Sequence, residues 1–172
     1  MSTTDHTSRL IGQLDLQDHR WARVDIGDLG GADPRRVLVG SVDPQIGMGH
    51  ADPTGKVGDL IGTYWAALFL ISRAFVKLLR VSGLTGWRTT PVPVEGNPSV
   101  ADVCLLQVVG SCGPIRETGT GRVLDLDTWD GADLFVPSNE STILLSSRAV
   151  EALRSAQLSN VEVDPAGVEL SA

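Results

Sequence analysis

The chain matches itself once, at a constant offset. Place Asp59-Leu-Ile over Asp133-Leu-Phe without a gap, and Leu70, Ser72, Val76, Leu79, Arg80 and Leu84 fall on Leu144, Ser146, Val150, Leu153, Arg154 and Leu158. Conservative pairs fill the intervals: Phe69 with Ile143, Ile71 with Leu145, Thr85 with Ser159, Gly86 with Asn160. Amphipathic helices share leucine spacing by chance. A gapless register running from an Asp-Leu opening through a helix to its exit is harder to dismiss, and it predicts an internal duplication with pseudo-repeats at about 59–89 and 133–163. Two copies are too few for a solenoid. A length of 172 residues has room for one such domain spanning 1–172.

Each copy reads as strand, helix, strand. Leu68-Phe-Leu-Ile and Thr142-Ile-Leu-Leu are apolar runs of strand length. Ser72 and Ser146 (or Ser147) stand where an N-cap hydroxyl would take up a free backbone amide. Phe75, Leu78 and Leu79, and then Val150, Leu153 and Gln157, follow at helical spacing, with the stronger apolar face in the first copy. Gly83 before Leu84 is a helix stop, since glycine accepts the left-handed conformation and the leucine packs back. Asn160 is the tolerant residue at the second exit. Strands are predicted next at residues 87–90 and 161–163.

Elsewhere, Pro91-Val-Pro-Val is unsuited to a central strand because proline donates no ladder hydrogen bond. Residues 100–109 form the best long strand, ended by Gly110 and the turn at Cys112-Gly-Pro. Residues 21–26 and 36–39 are predicted as strands, and the Gly-, Pro- and Asp-rich stretch 43–58 as a long exposed loop. Residues 1–10 are expected to be a mobile terminus with no secretory signal. The fold class is therefore α+β: a mixed or mostly antiparallel sheet with two packed helices.

Charge excludes several functions. Fourteen Lys and Arg against 21 Asp and Glu leave a formal net charge of −7. Nucleic-acid binding wants a basic face, and so does docking on anionic lipid; neither partner is expected. No apolar stretch approaches the roughly 20 residues of a spanning helix. Cys104, in an apolar run, reads as a buried reduced thiol, which fits a cytoplasmic address.

Catalytic and metal signatures fail one by one. Gly49-His-Ala-Asp-Pro-Thr-Gly-Lys56 is one residue too long for a phosphate loop, and Val57 replaces the magnesium-binding hydroxyl. Asp125, Asp127, Asp130 and Asp133 lack the glycine and bidentate glutamate of a calcium loop. His6, His19 and His50 pair with no ligand at a recognisable spacing. Cys112, beside Gly113, reads as exposed enough to react but has no activating neighbour. The chain is read as a non-enzyme without cofactor or metal. Trp65 and Trp87 read as packing residues. Trp129, set among carboxylates, has two readings: an aromatic anchor rimmed by charge, as interfaces use, or a ring tucked under its own loop with the aspartates capping turns.

The segment Trp129-Asp-Gly-Ala-Asp-Leu-Phe135, followed by an apolar strand and Ser-Arg-Ala-Val-Glu-Ala-Leu-Arg-Ser-Ala-Gln-Leu-Ser-Asn-Val161, resembles the C-terminal half of bacterial polymorphic-toxin immunity proteins. It is most similar to the double-CxxCG-motif group and its relatives. Leu84-Thr-Gly-Trp-Arg-Thr-Thr-Pro-Val92 and Gly110-Ser-Cys-Gly-Pro114 resemble further features of that family. The likeness begins at about Gly55 and rests mainly on the spacing of Trp129, Gly131, Asp133 and Phe135. It departs from the family in having one Cys-Gly and a lone Cys104, and two thiols cannot build a four-thiolate zinc site. The resemblance implies a cytoplasmic binding protein that neutralises a cognate, basic protein toxin, with Asp125, Asp127, Trp129, Asp130 and Asp133 as the partner-binding residues. A small-molecule-binding or regulatory α+β domain, with 43–58 as a lid, is the alternative, and a hydrolase or transferase using dispersed carboxylates a third reading. A homodimer formed by swapping the repeats is also consistent with the sequence.

Overall fold

The structure, a computed structural model, describes residues 11–171; the predicted mobile terminus 1–10, with His6, lies outside them. The chain opens with strand β1 (Gly12–Leu16), the short β2 (Val24–Asp25), a 3-10 turn (Leu29–Gly31) and helix α1 (Pro34–Leu38), followed by β3 (Gly49–Ala51). The first pseudo-repeat supplies β4 (Leu60–Gly62), β5 (Phe69–Ile71), helix α2 (Arg73–Val81) and β6 (Trp87–Val92). Then come β7 (Val94–Glu95), β8 (Val103–Val108), β9 (Gly110–Cys112), β10 (Arg116–Thr118), β11 (Gly121–Asp125) and a 3-10 turn (Leu126–Thr128). The second pseudo-repeat supplies β12 (Leu134–Pro137), β13 (Leu144–Leu145), helix α3 (Ser147–Ser155) and β14 (Val161–Pro165), and β15 (Val168–Ser171) ends the described chain. The architecture is α+β, with both antiparallel and parallel pairings among the described strands.

The two helices start as their hydroxyls predict. Ser72 Oγ accepts from the Phe75 amide at 3.1 Å, and Ser146, rather than Ser147, accepts from the Ala149 amide at 3.2 Å. Helix α2 buries Phe75, Val76 and Leu79, and α3 buries Ala149, Val150 and Leu153. Helix α2 ends as predicted, with Gly83 at φ 60° and the Leu84 amide bonded back to the Leu79 carbonyl at 3.0 Å.

Two of the sheets have similar strand arrangements. One runs β4-β5-β8-β6 and the other β12-β13-β1-β14, extended by β9 beyond β12. In the first, Ile71 pairs with Cys104 and β6 runs from Trp87 opposite Val108 to Pro91 opposite Cys104. In the second, Leu145 pairs with Gly12 and β14 runs from Val161 opposite Leu16 to Pro165 opposite Gly12. One offset carries Ile71, Trp87 and Pro91 onto Leu145, Val161 and Pro165, and a second carries Gly12 and Leu16 onto Cys104 and Val108. The strand that completes the second sheet therefore comes from before the first repeat, not from after the second. Pro91 and Pro165 both lie on edge strands, where a missing N–H costs nothing. Both units feed one continuous core, which includes Leu14, Leu60, Leu70, Leu79, Leu105, Leu134, Leu145 and Leu153.

Four expectations are corrected. Residues 36–39 are not a strand, because Asp33 and Pro34 start a helix: the Asp33 carboxylate accepts from the Arg36 amide at 3.0 Å and Pro34 fills the first turn. Helix α1 makes three α-helices rather than two among the described residues, and it covers the outer face of β8, where the Gln107 side-chain amide donates to the Val37 carbonyl at 2.8 Å. The predicted strand 21–26 shrinks to β2, and the stretch 43–58 is not all loop. It contains β3, which pairs antiparallel with β2 and parallel with β7.

Candidate functional site

The acidic segment that follows β11 caps a second, smaller core of Ile11, Cys112, Ile115, Leu124, Phe135, Leu144 and Ala166. Its conformation is set by its own carboxylates. Asp125 accepts from the Asp127 amide at 3.1 Å and so starts the 3-10 turn; Arg116 approaches its other oxygen at 3.8 Å. Asp130 accepts from the Ser111 amide at 2.8 Å, from the Ser111 hydroxyl at 3.2 Å and, on its other oxygen, from the Ala132 amide at 3.0 Å. Asp127 and Asp130 remain exposed. Trp129 is half-buried: its ring tilts against Phe135 with centroids 5.2 Å apart, and its indole N–H donates to the Ala132 carbonyl at 3.1 Å. The tucked reading thus describes the ring's contacts with Phe135 and Ala132, and the residue still keeps part of its surface exposed.

Asp133 stands apart from the other four. It is only 5 % exposed. Its two oxygens accept from the Ser146 hydroxyl at 2.7 Å, from the Thr85 amide at 2.9 Å, from the Thr85 hydroxyl at 3.0 Å and from the Arg148 guanidinium. Burial opposes its ionisation, but the Arg148, Ser146 and Thr85 donors outweigh burial and hold the carboxyl well below the ordinary aspartate range. Asp133 is a latch between the repeats, joining the start of α3 to the turn that leaves α2.

Its counterpart in the first repeat makes the mirrored connection. Asp59 accepts from the Ser72 hydroxyl at 2.5 Å, the Ser159 amide at 2.8 Å and the Ser159 hydroxyl at 2.9 Å. Burial again works against the charge, and the Ser159 and Ser72 donors again lower the carboxyl below its usual range. Each repeat thus grips the other's helix exit. The Asp-Leu openings and the Thr85–Ser159 match were visible in the sequence; that the partners cross between repeats was not.

Beside the acidic segment lies a shallow depression of about 330 Å³ lined by Thr85, Gly86, Val109, Gly110, Asp130, Gly131 and Ala132. Val109, 45 % exposed, offers an apolar side chain at its wall. Of the five predicted site residues Asp130 lines this depression, Asp125, Asp127 and Trp129 precede it in the same segment, and Asp133 is buried in its hydrogen bonds to Thr85, Ser146 and Arg148. No family model matches the chain, and no curated protein sequence matches it. A larger open groove, of about 790 Å³, is lined elsewhere by residues 91–98 and 100–103. The segment 43–58 adjoins it through the β3–β7 pairing and a 3.0 Å hydrogen bond from the Asn97 side-chain amide to the Asp52 carbonyl.

Cys112 is buried rather than exposed, and burial, then the nearby Asp130 charge, pushes its thiol up to about 11. Such a thiol is a poor nucleophile at neutral pH. Cys104 is half-buried and likewise free. Among the described residues no group of three or more His, Cys, Asp or Glu is arranged to hold a metal ion, and no helix is long and apolar enough to cross a membrane. Lys56, from the rejected phosphate-loop motif, lies over the Trp21 ring at 4.0 Å.

Proposed function

We propose that the chain is an immunity-type binding protein, a non-enzyme of the cytoplasm that neutralises a cognate, basic protein toxin. The carrying observation is the acidic segment after β11, where Asp127 and Asp130 are exposed around the half-buried Trp129 beside the depression at Val109. Carboxylates steer a basic partner and raise its association rate, while an indole already fixed on Phe135 loses little freedom when a partner covers it. The resemblance of the Trp129–Phe135 spacing to immunity proteins supports the same reading, and descent of the two repeats from one duplicated unit is consistent with their shared register. Binding here would occlude the toxin's active site or its substrate groove.

The test is co-expression with the product of the adjacent large gene, followed by pull-down over a salt series. A complex that restores growth and weakens with salt is the expected result, and Trp129→Ala or Asp127→Lys should reduce protection by at least tenfold. Variants that protect as well as the natural chain would remove the site assignment. The groove at residues 91–103 favours a second reading, a small-molecule-binding domain with 43–58 as its lid. Metabolite-dependent protection of this segment from hydrogen exchange, without any protein partner, would support it.

A further inference from the structure

The two aspartate latches differ in one group. At Asp133 the donors are two hydroxyls, one amide and the Arg148 guanidinium, which also donates to the Gly83 carbonyl at 2.8 Å. At Asp59 the same two hydroxyls and amide recur from Ser72 and Ser159, but the residue at the position of Arg148 is Ala74. The carbonyl corresponding to Gly83 belongs to Gln157. Around Ala74 the first repeat has an open, mainly apolar groove of about 300 Å³, lined also by Lys77, Leu78, Val81, Ala156, Gln157 and Leu158. Val81 there is 78 % exposed.

We propose that this groove, whose lining residue Leu158 directly precedes Ser159, the donor to Asp59, is a socket for an arginine side chain presented by a partner protein. The molecule itself shows the ligand that such a socket takes, because Arg148 occupies its twin. Asp59 accepts three hydrogen bonds, fewer than its carboxylate can take, so it has capacity for a guanidinium N–H. The apolar walls suit the methylene stem. The planar fork matches a carboxylate on one side and a carbonyl on the other, which a lysine ammonium does not. A net charge of −7 favours a basic partner. Lys77 at the rim opposes any cation, and its counterpart Glu151 does not, so the socket is suited to an arginine delivered as one contact of a larger interface. This inference is separate from the acidic segment and does not depend on what that segment binds.

The experiment titrates the intact, isotope-labelled chain with propylguanidinium, the arginine side-chain analogue, and with butylammonium at equal ionic strength. The amides of Ser72 and Ser159 are followed by NMR. Saturable shifts with propylguanidinium and at least fivefold weaker response to butylammonium are expected. Ala74→Arg should abolish the shifts and raise Tm by about 2–4 °C, the change one added interaction makes in a chain of this length. Lys77→Glu should strengthen binding severalfold. Arg148→Ala, which empties the twin socket, should regain thermal stability when propylguanidinium is added. No saturation in the natural chain overturns the proposal, as does an equal response to both cations or shifts that survive Ala74→Arg. Free L-arginine binding more than tenfold tighter than the analogue would overturn the assignment to a protein side chain.

Discussion

Asp133 and Asp59 show how much a single carboxylate can organise when its donors come from another part of the chain. Because each ionises at lower pH in the folded chain than in the unfolded one, each adds stability above the ordinary aspartate pKa of about 4. That stability is lost as pH falls through the lowered folded value, since the unfolded chain then binds the extra protons. Urea denaturation between pH 5 and 2 should therefore show falling stability, and Asp133→Asn should flatten the slope. Arg148→Ala, which removes two hydrogen bonds to Asp133 and one to the Gly83 carbonyl from an exposed guanidinium, is expected to lower stability at neutral pH in the same assay. Gly86 gives a further prediction at this scale. Its φ is 84°, and a Cβ there would sit well inside contact distance of the Leu134 carbonyl oxygen. Gly86→Ala should cost about 3 kcal/mol or more, whereas Gly83→Ala, equally left-handed but facing open space, should cost about 1 kcal/mol. Asn160 meets the same need at the matching position, with φ 59° and its side-chain amide donating to the Leu60 carbonyl at 3.1 Å.

At the scale of elements, what could be read from the chain was whatever its neighbours in sequence determine. Ser72 and Ser146 announced the starts of α2 and α3, Gly83 the end of α2, and the apolar run 100–109 the central strand β8. Helix α1 was missed although Asp33-Pro34 is a start signal, because the following Val37-Leu38-Val39 is too short to show a helical period. The place of β1 was illegible for a different reason. Gly12-Gln-Leu-Asp-Leu and Cys104-Leu-Leu-Gln-Val share only buried aliphatic residues in phase, since α1 seals the outer face of β8 while that of β1 is half-exposed. Of the candidate site, the acidic residues were legible and their division was not: the spacing of Asp130 and Asp133 gives no sign that one is exposed and the other locked. The role of β1 is testable in one element. Leu14 is buried and its amide donates to the Ile143 carbonyl at 3.0 Å, so Leu14→Pro removes a central ladder bond. Hydrogen exchange should accelerate in β13 and β14 by at least tenfold while β5 and β8 change less.

For the whole molecule, the parallel between the two sheets has one asymmetry. The first repeat obtains its central strand β8 from the residues that follow it, whereas the second obtains β1 from residues made more than a hundred positions earlier. The first sheet can thus assemble by closing short loops, and the second must close the longest loop the fold contains. As the chain leaves the ribosome, β1 is the earliest described strand to emerge, and both of its partners come from residues beyond 143. Until β13 and β14 arrive it is an unpaired edge with alternating leucines, open to capture by another copy or by a chaperone. Assembly of the second sheet therefore waits on distant residues: the slot that β1 fills does not exist until the chain has been made as far as Pro165.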